Sequence, residues 1–428
     1  MLTVPTPLAY LLASVMLVPA LGAPLQAQGH DHDYDEVDPW AGVKPPQKGP
    51  DSTAVAGFLK SLAVADPIVC QFVVHSLGNN WGDWDMEYQP GNLQAESAVE
   101  RARQGLSRRV TDHAALLYLT RALGDPQSCV RRAAARMLGR SEDPESVRQL
   151  RQALRQDDPR MREAAALGLA DAEDPAAFHD LTRALRDREP AVVRMAAYAL
   201  GELEDARAVK PLVELLRSSD AETRAGAASA LGEIEDIRAT DRLTPLVRDG
   251  DPRVRTAAIE ALGEIEDHRG TGALTQALKD NVTDVRRAAA QALGEVESPR
   301  AADALAQSLD DTDVVVRRLA AQALGELDDL NRAPARLITA LGDPDLELRI
   351  ITASSLGEIA DSVAVPALSG AYAGAEPRLR YAIVRALAEI DDRRGNAVLE
   401  LAAREKDSNI RHVAAEALKD RHDDEDDD

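Results

Sequence analysis

In the stretch DPRVRTAAIEALGEI, residues 251–265, the apolar positions are Val254, Ala257, Ala258, Ala261, Leu262 and Ile265. Their offsets of 0, 3, 4, 7, 8 and 11 trace one face of an α-helix. Asp251 stands where an N-cap belongs, and Pro252 is pre-set for the first helical turn. Gly263, followed by the turn signal Glu266-Asp267, predicts where the helix closes. One such helix has nothing of its own to bury its stripe against, so the pattern demands copies.

The copies are present. A Leu-Gly marker recurs at Gly139, Gly201, Gly232, Gly263, Gly294, Gly325 and Gly357, with Ala170, Ala388 and Lys419 in the same column. The steps are 31 residues, with one of 32 between Gly325 and Gly357. Eight residues before each marker stands an arginine, among them Arg255, Arg286, Arg317 and Arg349; Val193 takes one slot and displaces Arg194 by one. Four residues before that column comes an acid, as at Asp158, Asp220, Asp251, Asp313 and Asp345. Between marker helices lies a second amphipathic helix, such as AVKPLVELLRS at 208–218. The unit is a 31-residue helix–turn–helix. About ten of them in phase predict an all-α solenoid whose stacked repeats bury a continuous Ala/Leu seam.

The pattern resembles HEAT repeats, in particular the short bacterial type of the phycobilisome (bilin) lyases, over residues 110–421. The resemblance implies a ladder of ion pairs between repeats that Asp251 with Arg255 and Asp313 with Arg317 would join, interrupted at Val193 and Val282. It also implies that the second helix of each pair lines the concave side. Upstream, Asp66-Pro67-Ile68-Val69-Cys70 and Leu77-Gly78 repeat the spacing, with Cys70 in the arginine slot. Residues 53–109 are therefore expected to form a divergent N-terminal cap, with Trp81 and Trp84 in an insertion. Cys70 and Cys129 stand about two repeats apart, on the order of 20 Å by regular stacking. A disulfide needs Cα atoms within roughly 7 Å, so two unbridged thiols are expected.

Charge and composition narrow the function. Aromatics are 3% of the chain, so the core must be built of Ala, Leu and Val. Residues 1–27 carry no charged side chain and resemble a secretory signal peptide; Pro5, Pro7 and Pro19 argue against a spanning helix. Residues 28–52 read as a disordered acidic leader and 422–428 as an acidic tail. Of the net −23, the leader holds −4 and the tail −6, leaving −13 on the folded part. That excess argues against nucleic acid, whose phosphates require a basic stripe. An exported, periplasmic or secreted monomer is expected.

Chemistry is sparse in the sequence. No nucleophile elbow, P-loop or HExxH motif occurs in the chain. Glu202, Glu233, Glu264, Glu295, Glu326, Glu358 and Glu389 recur once per repeat, roughly 10 Å apart by helix packing, which predicts a solvated ridge rather than a metal site. Deoxyhypusine hydroxylase, a HEAT-like enzyme, holds iron with His-Glu pairs, where this chain has Gly-Glu. The bilin-lyase resemblance is to a scaffold and does not carry the chemistry over. No cofactor is expected. If a signal peptide ends at Ala27, a free amine with His30 third, assisted by His32, could wrap Cu(II) or Ni(II) in a square plane. A metal-handling or catalytic envelope protein using this leader is the alternative reading.

The expected function is a non-enzymatic scaffold that binds another protein or peptide along its concave face. Exposed positions are expected one and five residues after the ladder arginine. The first column supplies Arg132, Arg194, Arg287, Arg318, Ile350 and Tyr381, and the second supplies Tyr198. Ile350 and Tyr381 form an apolar pair, a candidate hot spot flanked by arginines that would orient a carboxylate-bearing partner. Trp81 and Trp84 complete the candidate set.

Overall fold

The computed structural model describes residues 49–65, 67, 70, 73, 74, 77, 110–141 and 143–426. Residues 1–27, expected to be a signal peptide, and His30, His32, Trp81 and Trp84 lie outside these residues. The chain divides into two units, residues 1–143 and 144–428. Among the described residues every regular element is helical.

In the first unit, Asp51 caps the Ser52–Ala63 helix by accepting the Ala54 amide at 2.9 Å. That helix buries Val55, Leu59 and Leu62 and packs on both the His113–Ala122 and Ser128–Gly139 helices. Cys70 and Cys129 are joined in a disulfide, with Cα atoms 5.8 Å apart. The expectation of two separated thiols is therefore wrong. Spacing in sequence was read as layers in space, but the first helix lies directly against the helix that carries Cys129.

The second unit consists of short first helices alternating with longer marker helices. The marker helices include Pro159–Ala172, Pro190–Gly201, Ala221–Glu233, Pro252–Glu264, Thr283–Glu295, Val314–Glu326, Leu346–Ile359 and Pro377–Ile390. Each packs chiefly on the marker helix of the next repeat. The periodic stripe is the core: Val254, Ala258, Ala261 and Leu262 are fully buried, as are Val285, Ala289 and Leu293 one repeat on. Asp251, as expected, is the N-cap of its helix, accepting the Arg253 amide at 2.9 Å.

Most of the first helices are shorter than expected. The segment 206–215 is a 3₁₀ turn, Ala206–Ala208, followed by a seven-residue α-helix, Val209–Leu215. Asp205, Asp236, Asp267 and Asp392 head such turns, and each pairs with an arginine two residues on. Three of those arginines also reach backward: Arg238 donates to the Ala206 carbonyl, Arg269 to Ile237 and Arg394 to Ser362, at 2.7–3.0 Å. The turns are thereby tied from one repeat to the one before.

At the centre of the array the marker glycine does not terminate its helix, although Gly139 and Gly201 are the last residues of theirs. Gly263 is helical, the helix runs to Glu264, and the left-handed residue is Glu266 at φ 54°. Glycine is needed here for proximity instead. A Cβ at Gly232 would stand 2.8 Å from Ala261 Cα and would collide with the Glu264 carboxylate; at Gly263 it would collide with Glu295 in the same way. From Gly232 to Gly357 each Leu-Gly-Glu marker thus offers a flat patch over which the glutamate of the next repeat folds, whereas at Gly201 only Ala230 comes close.

Candidate partner-binding face

The arginine column forms a ladder, but with different acids from those expected. Arg162 binds Asp187 at 2.7 and 2.8 Å, Arg224 binds Asp249 at 2.9 and 2.7 Å, and Arg286 binds Asp311 at 2.7 and 2.9 Å. Arg255 pairs with Asp280 at 2.8 Å, Arg317 with Asp343 at 3.3 Å and Arg380 with Glu405 at 2.9 Å. The acid is 25 or 26 residues ahead, in the turn before the next marker helix. It stands six residues before that helix's own arginine, not four.

Two local demands explain the choice. The acid four residues back is occupied as an N-cap: Asp251 serves the Arg253 amide and guanidinium, and Asp313 serves the Val316 amide at 3.0 Å. The acid six residues back is fixed by an amide two residues on, as in Asp249 accepting from Asp251 and Asp311 accepting from Asp313. A helical arginine points back toward its own N-terminus, so Nη1 of Arg286 also reaches the Asp280 carbonyl at 3.0 Å. The signal was in the sequence as Asp-x-Asp at 249–251, 311–313 and 343–345, but only its second member was read.

The interruptions shift accordingly. Val282 breaks nothing, because its rung uses Asp280. At Val193 the arginine is absent, and Ser218 replaces the acid 25 residues on. Arg194 substitutes, lying 3.3 Å from both Asp220 and Glu222.

The first expected surface column is mostly not free. Arg287 donates to Asp313 at 3.0 and 2.7 Å, and Arg318 donates to Asp345 at 2.8 and 2.7 Å, which makes a second ladder. The Arg287 guanidinium hydrogen-bonded to it holds Asp313 down to about 2, outweighing the opposite effect of burial. These arginines tie repeats together, because each reaches the N-cap aspartate of the next marker helix. Arg132 is exposed, and Ile350 and Tyr381 are half-buried. At the centre the column is closed by small side chains, Ala225 and Thr256, both buried. In the second column Tyr198 stands 38% exposed beside Glu202.

Apart from half-buried Glu202 the glutamates of the column are exposed as residues, yet they are not independent of one another. Crowding by the repeats, then the like charges of Glu233, Glu260, Glu295 and Glu235, push Glu264 up to about 7. Burial, with Glu295 beside it, pushes Glu260 up to about 7. Glu202, Glu233, Glu295 and Glu358 are raised in the same way, burial being the largest cause. The middle of the face is therefore acidic and self-repelling. An open cleft of about 470 Å³ lies over the Arg255 rung, between Asp249, Gln276, Lys279 and Asp280, and its charges are largely spent on the ladder. Among the described residues no group of His, Cys, Asp or Glu could hold a metal ion, and no helix is long and apolar enough to cross a membrane.

Stacked helical pairs joined by arginine–acid rungs define an α-solenoid repeat protein. HEAT repeats match at residues 96–170, 114–201, 147–222, 181–263, 209–286, 240–325, 271–345 and 334–419, and this chain belongs to the HEAT-repeat family. No curated protein matches it. Among solved structures, an engineered protein is similar at 23% identity and TM-score 0.45, over 71% of this chain and 98% of its own. Kap95p, described as binding RanGDP, is similar at 14% identity and TM-score 0.50, over 85% of this chain and 60% of its own. A chain of the CpcE–CpcF complex of phycocyanin lyase from Nostoc sp. PCC7120 is similar at 24% identity and TM-score 0.34, over 60% of this chain and 92% of its own. At these identities the likeness is one of fold.

Proposed function

We propose that the chain is a non-enzymatic, exported scaffold that binds a protein partner along the face formed by its marker helices. The observation that carries this reading is a contrast between neighbouring columns. Positions of the Ala/Leu seam hold the same small or branched residues in every repeat and are buried. The positions beside them, on the same helices, change from Tyr198 to Ser229, Glu260, Gln291 and Arg385. A surface that varies on a constant support suits recognition of one shaped partner, as extended solenoid surfaces do. The uncharged apolar start of the sequence supports export, and so does the Cys70–Cys129 bond, since disulfides persist in oxidising compartments.

The test is affinity capture from a cell-envelope extract on the immobilised full chain, with mass spectrometry of what is retained. A discrete protein should be captured, then lost on Tyr198→Ser with Arg385→Ser and kept on Ile237→Ser with Val363→Ser. Ile237 and Val363 are 59% and 60% exposed and lie in the turns that precede the first helices, away from the marker face. Equal loss from both pairs, or no discrete capture, would count against the reading.

A further inference from the structure

One junction in the second unit lacks both ladders. Arg349 occupies the arginine column on the Leu346–Ile359 helix, but the residue 25 positions ahead is Gly374. The alignment is firm, because Gly374-Ala375-Glu376-Pro377 stands where Asp249-Gly250-Asp251-Pro252 stands four repeats earlier. A Cβ at Gly374 would meet nothing within 4 Å, so the space that an acidic side chain would enter is open. Across it, Nε of Arg349 is shut off from water and has no hydrogen-bond partner. Nε of Arg255, Arg317 and Arg380 is shut off in the same way, but those guanidiniums bind Asp280, Asp343 and Glu405 through their other nitrogens. The second ladder is missing too: Ile350 takes the position of Arg287 and Arg318, opposite Glu376. The next rung is complete, with Arg380 bound to Glu405 at 2.9 Å and stacked 5.8 Å from the Tyr372 ring.

A desolvated guanidinium without an acidic partner is costly, and at Arg162, Arg224, Arg255, Arg286, Arg317 and Arg380 the chain supplies that acid itself. Here it supplies a glycine. We propose that the Arg349–Gly374 gap is a carboxylate-binding site, in which a polypeptide partner provides the acid that the repeat omits. A guanidinium is suited to a carboxylate because its planar fork matches two oxygens. Ile350 and Tyr381 follow Arg349 and Arg380 on their helices and are half-buried rather than covered, so they give the residue next to that carboxylate an apolar seat. The site takes an acidic side chain flanked by an apolar residue, or an apolar C-terminal residue with its free carboxylate. This rests on the scaffold reading and gives it a location.

Two displayed peptide libraries separate these sources, one with free C-termini and one with amidated C-termini. Each is selected on the full chain and on Gly374→Asp, which completes the rung from within. Aspartate and asparagine are the residues that best tolerate the left-handed backbone of Gly374, at φ 80°, so Gly374→Asn is the matched neutral control. The wild-type chain should enrich apolar–acidic sequences from the amidated library, or apolar C-termini from the free one. Gly374→Asp should weaken the selected peptides about tenfold or more, with an unchanged or higher melting temperature. Arg349→Met should weaken them as much, and Gly374→Asn much less. Peptides that bind wild type and Gly374→Asp alike, or no enrichment from either library, would overturn the proposal. An envelope partner whose capture survives Gly374→Asp unchanged would overturn this site and leave the scaffold reading standing.

Discussion

Arg286 grips both carboxylate oxygens of Asp311, at 2.7 and 2.9 Å, across the boundary between one repeat and the next. Both side chains are nearly shielded, at 14% and 12% exposure. Arg286→Ala would strand the Asp311 carboxylate, and a broken shielded pair costs about 2–4 kcal/mol. Replacing both partners with Met and Leu should recover most of that, since no charge is then left unpaired. Hydrogen exchange in the Thr283–Glu295 and Val314–Glu326 helices measures both variants. A loss under about 0.5 kcal/mol for the single change would leave the ladder without energetic weight.

The Ala221–Glu233 helix contains an internal control for the marker glycine. At Gly226 a Cβ would meet nothing within 4 Å, whereas at Gly232 it would meet Ala261 and Glu264. Alanine is the better helix former by about 1 kcal/mol. Gly226→Ala should accordingly stabilise the array by about 0.5–1 kcal/mol. Gly232→Ala should destabilise it by about 1–3 kcal/mol, through overpacking against the next helix. Thermal melts of the two variants should move in opposite directions, and a shared direction would show that propensity alone decides.

The array should be most stable at mildly acidic pH. Glu260 and Glu264 bind protons more tightly when folded, at about 7, than at their ordinary value of 4.5. Their contribution is full below about 4.5 and is lost as pH rises through about 7. Asp313 runs the other way, held near 2 against an ordinary 3.8, so its contribution is present above about 3.8 and is lost as pH falls through about 2. Melting temperature should climb from pH 8 to pH 5 and fall below pH 4. Glu260→Gln with Glu264→Gln should flatten the climb; a wild-type chain that melts highest at pH 8 would contradict this account.

Reduction should act on the first unit alone. The disulfide closes a loop of 59 residues, and chain entropy gives such a link about 2–4 kcal/mol. Thiol counting in denaturant without reductant should return none. With reductant, or with Cys129→Ala, amides of the Ser52–Ala63 helix should exchange faster while those of Pro252–Glu264 hold steady. Slowed or unchanged exchange in the first helix would show that the bond bears no load there.

The helical stripes, the period and the N-caps were legible because each depends on residues within a few turns of one another. Contacts between repeats were harder to read. The sequence shows acidic columns four and six residues before the arginine, and only geometry says which faces the next helix. Cys70 was misplaced for a related reason: separation in sequence was read as separation in space, whereas the Ser52–Ala63 helix packs directly on the helix that carries Cys129. The glutamates at 235, 266 and 297 carry positive φ at the end of each marker helix, where glycine is the usual choice; composition concealed that turn. The Gly374 vacancy could be recognised only after the rung it interrupts had been found.

The fixed reach of the ladder also sets a rule for changing the length of the molecule. Apart from the Val193 and Arg349 junctions, each ladder arginine of the second unit meets an acid 25 or 26 residues ahead, so an ordinary repeat carries a donor for its successor and an acceptor for its predecessor. Excision of residues 256–286, one 31-residue frame, would bring Arg255 opposite Asp311 with the spacing it now has to Asp280. Duplication of the same frame would add one matched rung. Copy number can therefore vary by unequal recombination without mismatching the interior, and gene length in this architecture should drift in whole frames. A frame that carries Arg349 or Gly374 is different: copying or losing it changes how many open rungs the chain presents, and so its valence.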